Sequence, residues 1–523
     1  MKLKAGLIFL LSVLLVCLVF TSCKKEDSGD GTEDGSGDEY SGSISPDGET
    51  GEGEGDGEGE QTPVDEGDPN ATYEIFTADD LKTKLKMKGT YVLKADIDLG
   101  GAEWTPVGSA ARPFAGTFDG AGFKISNFKI TEKPTASEGD VSLAFKYAYG
   151  GFFGVTEKAS VKNVTFDGVT VNVALHTDNT FMYVGAVAGY AKETSFDGIT
   201  VSNVTLNAQS GEYITYVGGI AGAMIRSTAK NCTVCAEVTA KESLNDATAG
   251  GICAYSSESE FTYCTANGTV NATAKYGKAY SGGLVGYCSS SKIARSVSKA
   301  EITATVSSSS AQTGKKGSAS AGGLAAIVTA PSFNKRTEIT DSYTAGSCKV
   351  TAVGNKNSAY AGGFAASSEY GIYERCYSRA DVKADSIGDA VYAAGLVAYL
   401  MNQADVKDAT PYSYDTMVKG CFSIGNITVS SATTAYFIGT LTYSDLLIEG
   451  ETFIYSSGYY ERSKIYLNGQ ELERSSERVQ KTGSEVASTV YGNMSILSGS
   501  YGYSTDVWEI ISGESYPTLK PNA

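Results

Sequence analysis

Between residues 150 and 440 the chain keeps returning to one phrase, an apolar run broken by paired small residues. The clearest copy is "AYSGGLVGY" at 279–287, and the second small residue of each copy falls at Gly151, Ala186, Gly219, Gly251, Gly283, Gly323, Gly363, Gly395 and Gly439. Successive copies lie 32 to 44 residues apart. A period in that range, built from strand formers with no helical spacing between them, means stacked units rather than independent domains. A second phrase runs in phase with the first, an apolar-x-x-small segment ending at Val164, Ile199, Cys232, Cys264, Ser296, Ser342, Cys376 and Cys421. A third run follows each, such as "GTVNATA" (268–274) or "RADVKADS" (379–386). Three strands per period, separated by turn residues, predict one coil of a parallel β-helix. The handedness of parallel crossovers makes that solenoid right-handed.

Stacking explains the residue choice. Equivalent positions of successive coils lie about 4.8 Å apart and form ladders, so each must tolerate its own kind above and below. The column from Val164 to Cys421 is expected to be one interior ladder, its thiols acting as small buried groups. Tyrosine occurs 33 times, and Tyr183, Tyr216, Tyr280, Tyr360, Tyr392 and Tyr436 all precede the small pair. Two readings stay open for them: an exposed platform for sugar rings, or an interior stack on the same face as Val187, Ile220, Leu284 and Leu396. The longer repeats carry insertions at 306–320, 328–338 and 401–417. The last two follow the glycine strand and should leave one corner, either as a binding rim or as solvated loops.

The ends read as caps. "TADDLKTKLKMK" (77–88) gives Thr77 as N-cap with Leu81, Leu85 and Met87 on one side, a short helix able to cover the first coil. "DVWEIISGESYPTLK" (506–520), with Trp508, Ile510, Tyr516 and Pro517, is apolar enough to close the last.

The "GGLVGY" phrase with its following strand resembles the GLUG-motif repeat of secreted and surface bacterial proteins. These include the non-catalytic N-terminal region of IgA-specific metalloendopeptidases. The opening segment 73–130 is similar to the start of those proteins in Asp96-Ile97-Asp98-Leu99, in Trp104 to Gly108 and in Phe114 to Gly122. The resemblance runs from residue 73 to the end, weakens where Ala254, Ala326, Ala366 and Ala398 replace the third glycine, and implies a right-handed parallel β-helix.

Ahead of the repeats stand two lysines, an apolar run from Ala5 to Phe20, and Thr21-Ser22-Cys23. This reads as a secretory signal whose end resembles a lipobox, so residues 1–22 are expected to be removed and Cys23 acylated. Residues 24–70 hold 17 acids against two lysines, most of the net charge of −18. With almost no apolar residue, that segment is expected to be an extended stalk. Acids just after Cys23 resemble an export signal to the outer cell surface, giving an outer-membrane, lipid-anchored placement. The expected organisation is signal 1–22, lipidated Cys23 and stalk to residue 70, and β-helix 71–523. The β-helix divides into a capping region 71–130, repeats 131–445, and final rungs and cap 446–523.

Chemistry is sparse. One histidine, His176, rules out HExxH and with it metalloprotease activity. Cys232-Thr-Val-Cys235 has no partner pair for zinc. No cofactor or metal is expected, and an acidic exported chain without a basic patch argues against nucleic acid. The expected partners are the membrane, through the lipid, and a glycan or host or matrix protein. A surface adhesin or ligand-binding rod is the leading reading. A polysaccharide lyase or glycosidase using Asp341, Glu374 with Arg375, or Asp381 is a second, by fold analogy, and a structural envelope protein is a third.

Overall fold

The computed structural model describes residues 65–131, 137–138, 146–175, 180–211, 213–242, 244–307, 317–400, 416–431, 436–441, 455–456, 464–472, 479–480, 488–512 and 515–521. The signal, Cys23, the stalk to residue 64, His176, and residues 308–316 and 401–415 of the insertions lie outside the described residues.

The chain winds as a parallel β-helix with three faces. One coil shows the plan. Glu260–Thr262 lies on a short face, Thr265–Ala274 on a long face, and Lys278–Gly282 with Val285–Ser289 on a third face bent at the glycine pair. The next coil repeats it in register, with Glu260 beside Lys292, Thr269 beside Glu301, Ala279 beside Ala319 and Val285 beside Ala325. Along the long face strict alternation sends Val270, Ala272 and Ala274 inward. These join one hydrophobic core that runs from Ile75 to Leu467.

Two columns of backbone bends make the corners. Between the short and long faces, Asn163, Gly198, Asn231, Tyr263, Arg295, Asp341, Arg375 and Gly420 all take left-handed conformations, with φ from 47° to 65°. The residue after each is one of the eight from Val164 to Cys421, and all eight are buried. From Cys264 to Cys376 the polar side chains of this column close bonds that the turn leaves open. Cys264 N donates to Ser296 Oγ (3.0 Å), Ser296 N to Ser342 Oγ (3.1 Å), and Ser342 N to Cys376 Sγ (3.4 Å). Ser296 Oγ in turn donates to Ala294 O (2.8 Å). A small side chain able both to donate and to accept therefore suits the site, which is why Ser and Cys replace one another from Cys232 to Cys421.

The corner entering the short face uses the same device. Thr194, Ser227, Ser259, Ser291 and Thr337 each lie five residues before a member of the first column. Thr194 N donates to Ser227 Oγ (3.0 Å), Ser227 N to Ser259 Oγ (3.1 Å), Ser259 N to Ser291 Oγ (3.1 Å) and Ser291 N to Thr337 Oγ1 (3.3 Å).

The glycine pair makes the third bend by close approach rather than by a left-handed φ. A Cβ on Gly283 would fall 2.0 Å from Gly323 O and 2.2 Å from Ser298 Oγ; one on Gly282 would fall 1.8 Å from Val285 O. No side chain fits either place.

At the N-terminal end, helix α1 (Ala78–Lys84) has Thr77 Oγ1 accepting from Asp80 N (3.1 Å) and buries Leu81 in the core, as the sequence indicated. Other capping is antiparallel: Ser137–Glu138 pairs with Lys146 and Tyr147, and a hairpin of Ile465–Leu467 and Gln470–Leu472 ends the long face. Its turn, Asn468-Gly469, has positive φ at both residues, which matches strand twist.

The C-terminal segment differs from expectation. Among the described residues, helices α2 (Ser488–Tyr491) and α3 (Met494–Tyr501) and the pair Trp508–Glu509 with Thr518–Leu519 find their packing partners away from the last coil. They lie on the flank of the three coils that carry Tyr343, Tyr377 and Phe422, whose rings stack at 4.8 and 5.0 Å. Those rings form an aromatic outward column of the long face, and the apolar tail packs on it.

Candidate binding surfaces

The carboxylates weighed for catalysis do meet. Arg375 Nε donates to Asp341 Oδ1 and Nη2 to Oδ2, both at 2.9 Å, Arg375 Nη1 donates to Glu374 Oε2 (2.7 Å), and Trp508 Nε1 donates to Asp341 Oδ1 (3.0 Å). Asp341 is buried, and its hydrogen bonds, helped by its charge, hold the guanidinium protonated far above the ordinary arginine range. Tyr503 Oη donates to Cys376 O (3.2 Å) and Tyr377 Oη to Pro517 O (2.5 Å). This cluster anchors the C-terminal tail, and its acids are engaged by their neighbours. Asp381 Oδ1 accepts from Asn426 N (3.0 Å), so it too serves the backbone.

The thiols do not converge on a metal. Cys232 is buried in its corner whereas Cys235 is exposed on the long face. Among the described residues, no three His, Cys, Asp or Glu side chains are grouped to hold an ion. Burial pushes the thiols of Cys288 and Cys348 up to about 12 and raises those of Cys232, Cys253 and Cys376.

The tyrosines require a correction. Ala279 and Leu284 belong to the core, but Tyr280 does not; it packs with Tyr287, Ala326 and Ile327 on the outer side of the glycine face. The bend at Gly282-Gly283 resets the alternation, so residues on either side of it no longer share a face by parity. Tyr183, Tyr216, Tyr280, Tyr360 and Tyr392 do fall in one column, joined by Tyr149 and interrupted by Thr248 and Ser320. Tyr436 is out of it: Tyr392 pairs with Phe437, and Tyr436 with Val391. The side chain of Tyr436 lies outside the described residues.

Sequence reading missed a second column, carrying Tyr190, Tyr255, Tyr287 and Tyr399 just after the third small residue. Rings stack along the axis, Tyr183 on Tyr216 at 5.1 Å and Tyr360 on Tyr392 at 5.0 Å, while second-column rings meet them edge-on. The faces a sugar would need are spent on neighbouring coils at these pairs. Tyr183, Tyr280 and Tyr392 are buried.

The short face carries alternating charge, Asp119, Lys162, Asp197 and Lys230 in one column and Glu260, Lys292 and Glu338 in another. Lys162 reaches Asp119 at 3.3 Å and Lys292 reaches Glu338 at 3.4 Å. The insertion after Thr329 folds back down its corner, Lys335 Nζ meeting Glu258 Oε1 at 3.0 Å.

The outer side of the long face is different. One column runs Asn172, Asn207, Thr239, Asn271, Thr303, Thr351, six coils without a charge, each residue exposed or half-exposed. Asn207 Nδ2 donates to Asn172 Oδ1 (2.8 Å), while Asn207 Oδ1 is shut off from solvent and has no hydrogen-bond partner. Among the described residues no side chain bonds to Thr239, Asn271, Thr303 or Thr351. Flanking columns hold Thr170, Thr205, Glu237, Thr269, Glu301 on one side and Gln209, Lys241, Thr273, Thr305 on the other. Their period-two, in-phase signal was present in the sequence, but nothing there told an outward column from an inward one.

No family model matches the chain, and no curated protein matches it. It is similar to a crystal structure from Bacteroides ovatus provisionally named an immunoglobulin A1 protease, at 17% identity over 86% of this chain and 92% of that one, with a TM-score of 0.34. It is also similar to an IgA1 protease, at 12% identity over 73% of this chain and 23% of that one, with a TM-score of 0.26. At such scores neither likeness bears on site or activity, and the β-helix rests on the strand registers themselves.

Proposed function

We propose that the chain is a surface-displayed, non-catalytic rod of the GLUG-repeat kind, an adhesin or ligand-binding β-helix. The observation that carries this reading is the contrast between its polar groups. The acids that could have worked in pairs are committed to Arg375, Trp508 and backbone amides, whereas the half-exposed side chains of Thr239, Asn271, Thr303 and Thr351 on the long face are bonded to no other side chain among the described residues. Groups spent on structure cannot turn over a substrate; unspent groups in register can hold one.

Display would follow from the N-terminal segment as read in the sequence: acylation at Cys23, an acidic spacer, then the solenoid. Two measurements test the proposal. Cells carrying the full chain should label with fatty acid and lose the label in Cys23→Ala, and intact cells should expose the solenoid to added protease. Those cells should also adhere to glycan or matrix-coated surfaces without releasing cleavage products. Release of unsaturated or reducing sugar ends would establish the polysaccharide-active alternative instead.

A further inference from the structure

We infer that the buried corner column carries two disulfide sites, Cys232 with Cys264 and Cys376 with Cys421, each able to staple one coil to the next. The oxidant is a small-molecule disulfide met by the chain as it folds. That such a donor is met in the cell rests on the display reading above; the pairing itself does not.

Three features carry it. First, the strand registers bring these residues together. Lys230 lies beside Thr262 and Thr233 beside Thr265, which puts Cys232 and Cys264 at the same place in successive coils. Glu374 beside Lys419 and Tyr377 beside Phe422 do the same for Cys376 and Cys421. Coils stack at about 4.8 Å, within the roughly 4.4–6.8 Å between Cα atoms that a disulfide spans. Second, the sulfurs reach along the axis. Cys264 Sγ lies 3.3 Å from Ala229 O, a carbonyl of the coil that carries Cys232, and Cys376 Sγ lies 3.4 Å from Ile339 O of the coil before its own. Within each pair the two side chains are in hydrogen-bonding contact. Third, the other thiols lack a thiol in register: Cys253 stands beside Ala221 and Val285, Cys288 beside Ser256 and Val328, and Cys235 beside Asn267.

The structure holds both pairs as thiols. One thiolate of a pair attacks the donor disulfide and expels a small thiolate; its partner then attacks the mixed disulfide and expels the second. Two S–H bonds and the donor's S–S bond give way to the Cys–Cys bond and two small thiols, so the donor takes up both electrons and both protons. The corner gives up only weak S–H donations, from Cys264 to Ala229 O and from Cys232 to Lys230 O (3.1 Å). Burial keeps Cys232 and Cys376 protonated and shut away once the coil has closed, so the bonds form on the way to the folded state. They tie residues 32 and 45 positions apart, which restricts the unfolded chain.

The test uses the full chain, denatured in reductant, refolded in a glutathione redox buffer, then unfolded, alkylated and digested for mass mapping. Expected are two linked peptide pairs, 232 with 264 and 376 with 421, each lighter than its reduced halves by the lost hydrogens, and alkylation at Cys235, Cys253, Cys288 and Cys348. The oxidised chain should melt on the order of 5 °C above the reduced chain. The double variant Cys264→Ser, Cys376→Ser should abolish that difference while still folding, because Ser296 and Ser342 fill the same place in other coils. Cys235→Ser should leave both bonds. Alkylation of all four corner cysteines after refolding, linkage of other pairs or between chains, or a melting difference that survives in the double variant overturns the inference. Bonds present after refolding but absent from chain taken from cells would support the pairing and count against the display reading.

Discussion

At the scale of single residues, the fold depends on positions where one atom more or less is felt. Gly283→Ala sets a methyl against Ser298 Oγ and against Gly323 O, and the latter, a backbone atom, cannot retreat without moving a strand. A loss of about 3 kcal/mol or more is expected by denaturant titration. Gly499→Ala in α3, where nothing lies within 4 Å, should instead be neutral or stabilise by up to about 1 kcal/mol. Ser291→Ala strands the buried Ser259 amide and should cost about 1–3 kcal/mol. Ser291→Cys or Ser291→Thr should recover most of it, since Cys376 and Thr337 already play this part in the corner columns. If alanine and cysteine were equivalent at 291 in thermal melts, the corner hydrogen bond would not be the reason for these residues.

At the scale of elements, the C-terminal tail is held by the Trp508 indole, by two tyrosine hydroxyl bonds and by packing on the Tyr343, Tyr377 and Phe422 rings, with no strand pairing to the solenoid among the described residues. Trp508→Ala removes both the ring packed between Tyr343, Tyr377 and Tyr503 and the bond to Asp341. About 3–5 kcal/mol of docking energy should vanish. Limited proteolysis with mass mapping should then cut within 488–521 while leaving the coils intact. Asp341→Asn leaves Arg375 with Glu374 as its remaining carboxylate partner, and because the arginine is about a quarter exposed the penalty should be only about 1–2 kcal/mol. Loss of the whole solenoid in either variant would mean that the tail is a folding element and not an attachment.

At the scale of the molecule, stability should depend on alkaline pH with a definite sign. An unfolded cysteine releases its proton near pH 8.5, while the buried thiols of Cys288 and Cys348 hold theirs to about 12. The folded state therefore binds more protons in that interval. The stabilisation is full below about pH 8.5 and is lost as pH rises towards 12, with a slope of at most about 1.4 kcal/mol per pH unit for each thiol. Melting temperature should fall between pH 8.5 and 11, and Cys288→Ser should flatten the fall. Native alkylation at pH 8 should reach Cys235 before any other described cysteine, because the rest are buried.

Much of this was legible in the chain. The two in-phase markers gave the coil, since a ladder forces like residues to recur at like places, and Thr77 with Leu81 gave the capping helix. The second corner column was also visible, always five residues before the first, but single hydroxyls in a Ser- and Thr-rich chain do not announce themselves. The side of the tyrosines was not legible, because parity along a strand fails at a bend and only the backbone shows that Gly282-Gly283 makes one. Tyr436 was misplaced for a related reason: one residue of register moves a side chain to the other face. That Asp341, Arg375 and Trp508 form a clamp could not be read, since they meet across 167 residues through a tail laid along the flank. Local repetition is thus written in the sequence because each coil must match the next. Which face looks outward, and what covers it, was decided only by the tertiary structure, where bends, register and the docking of the tail are set by contacts far apart in the chain.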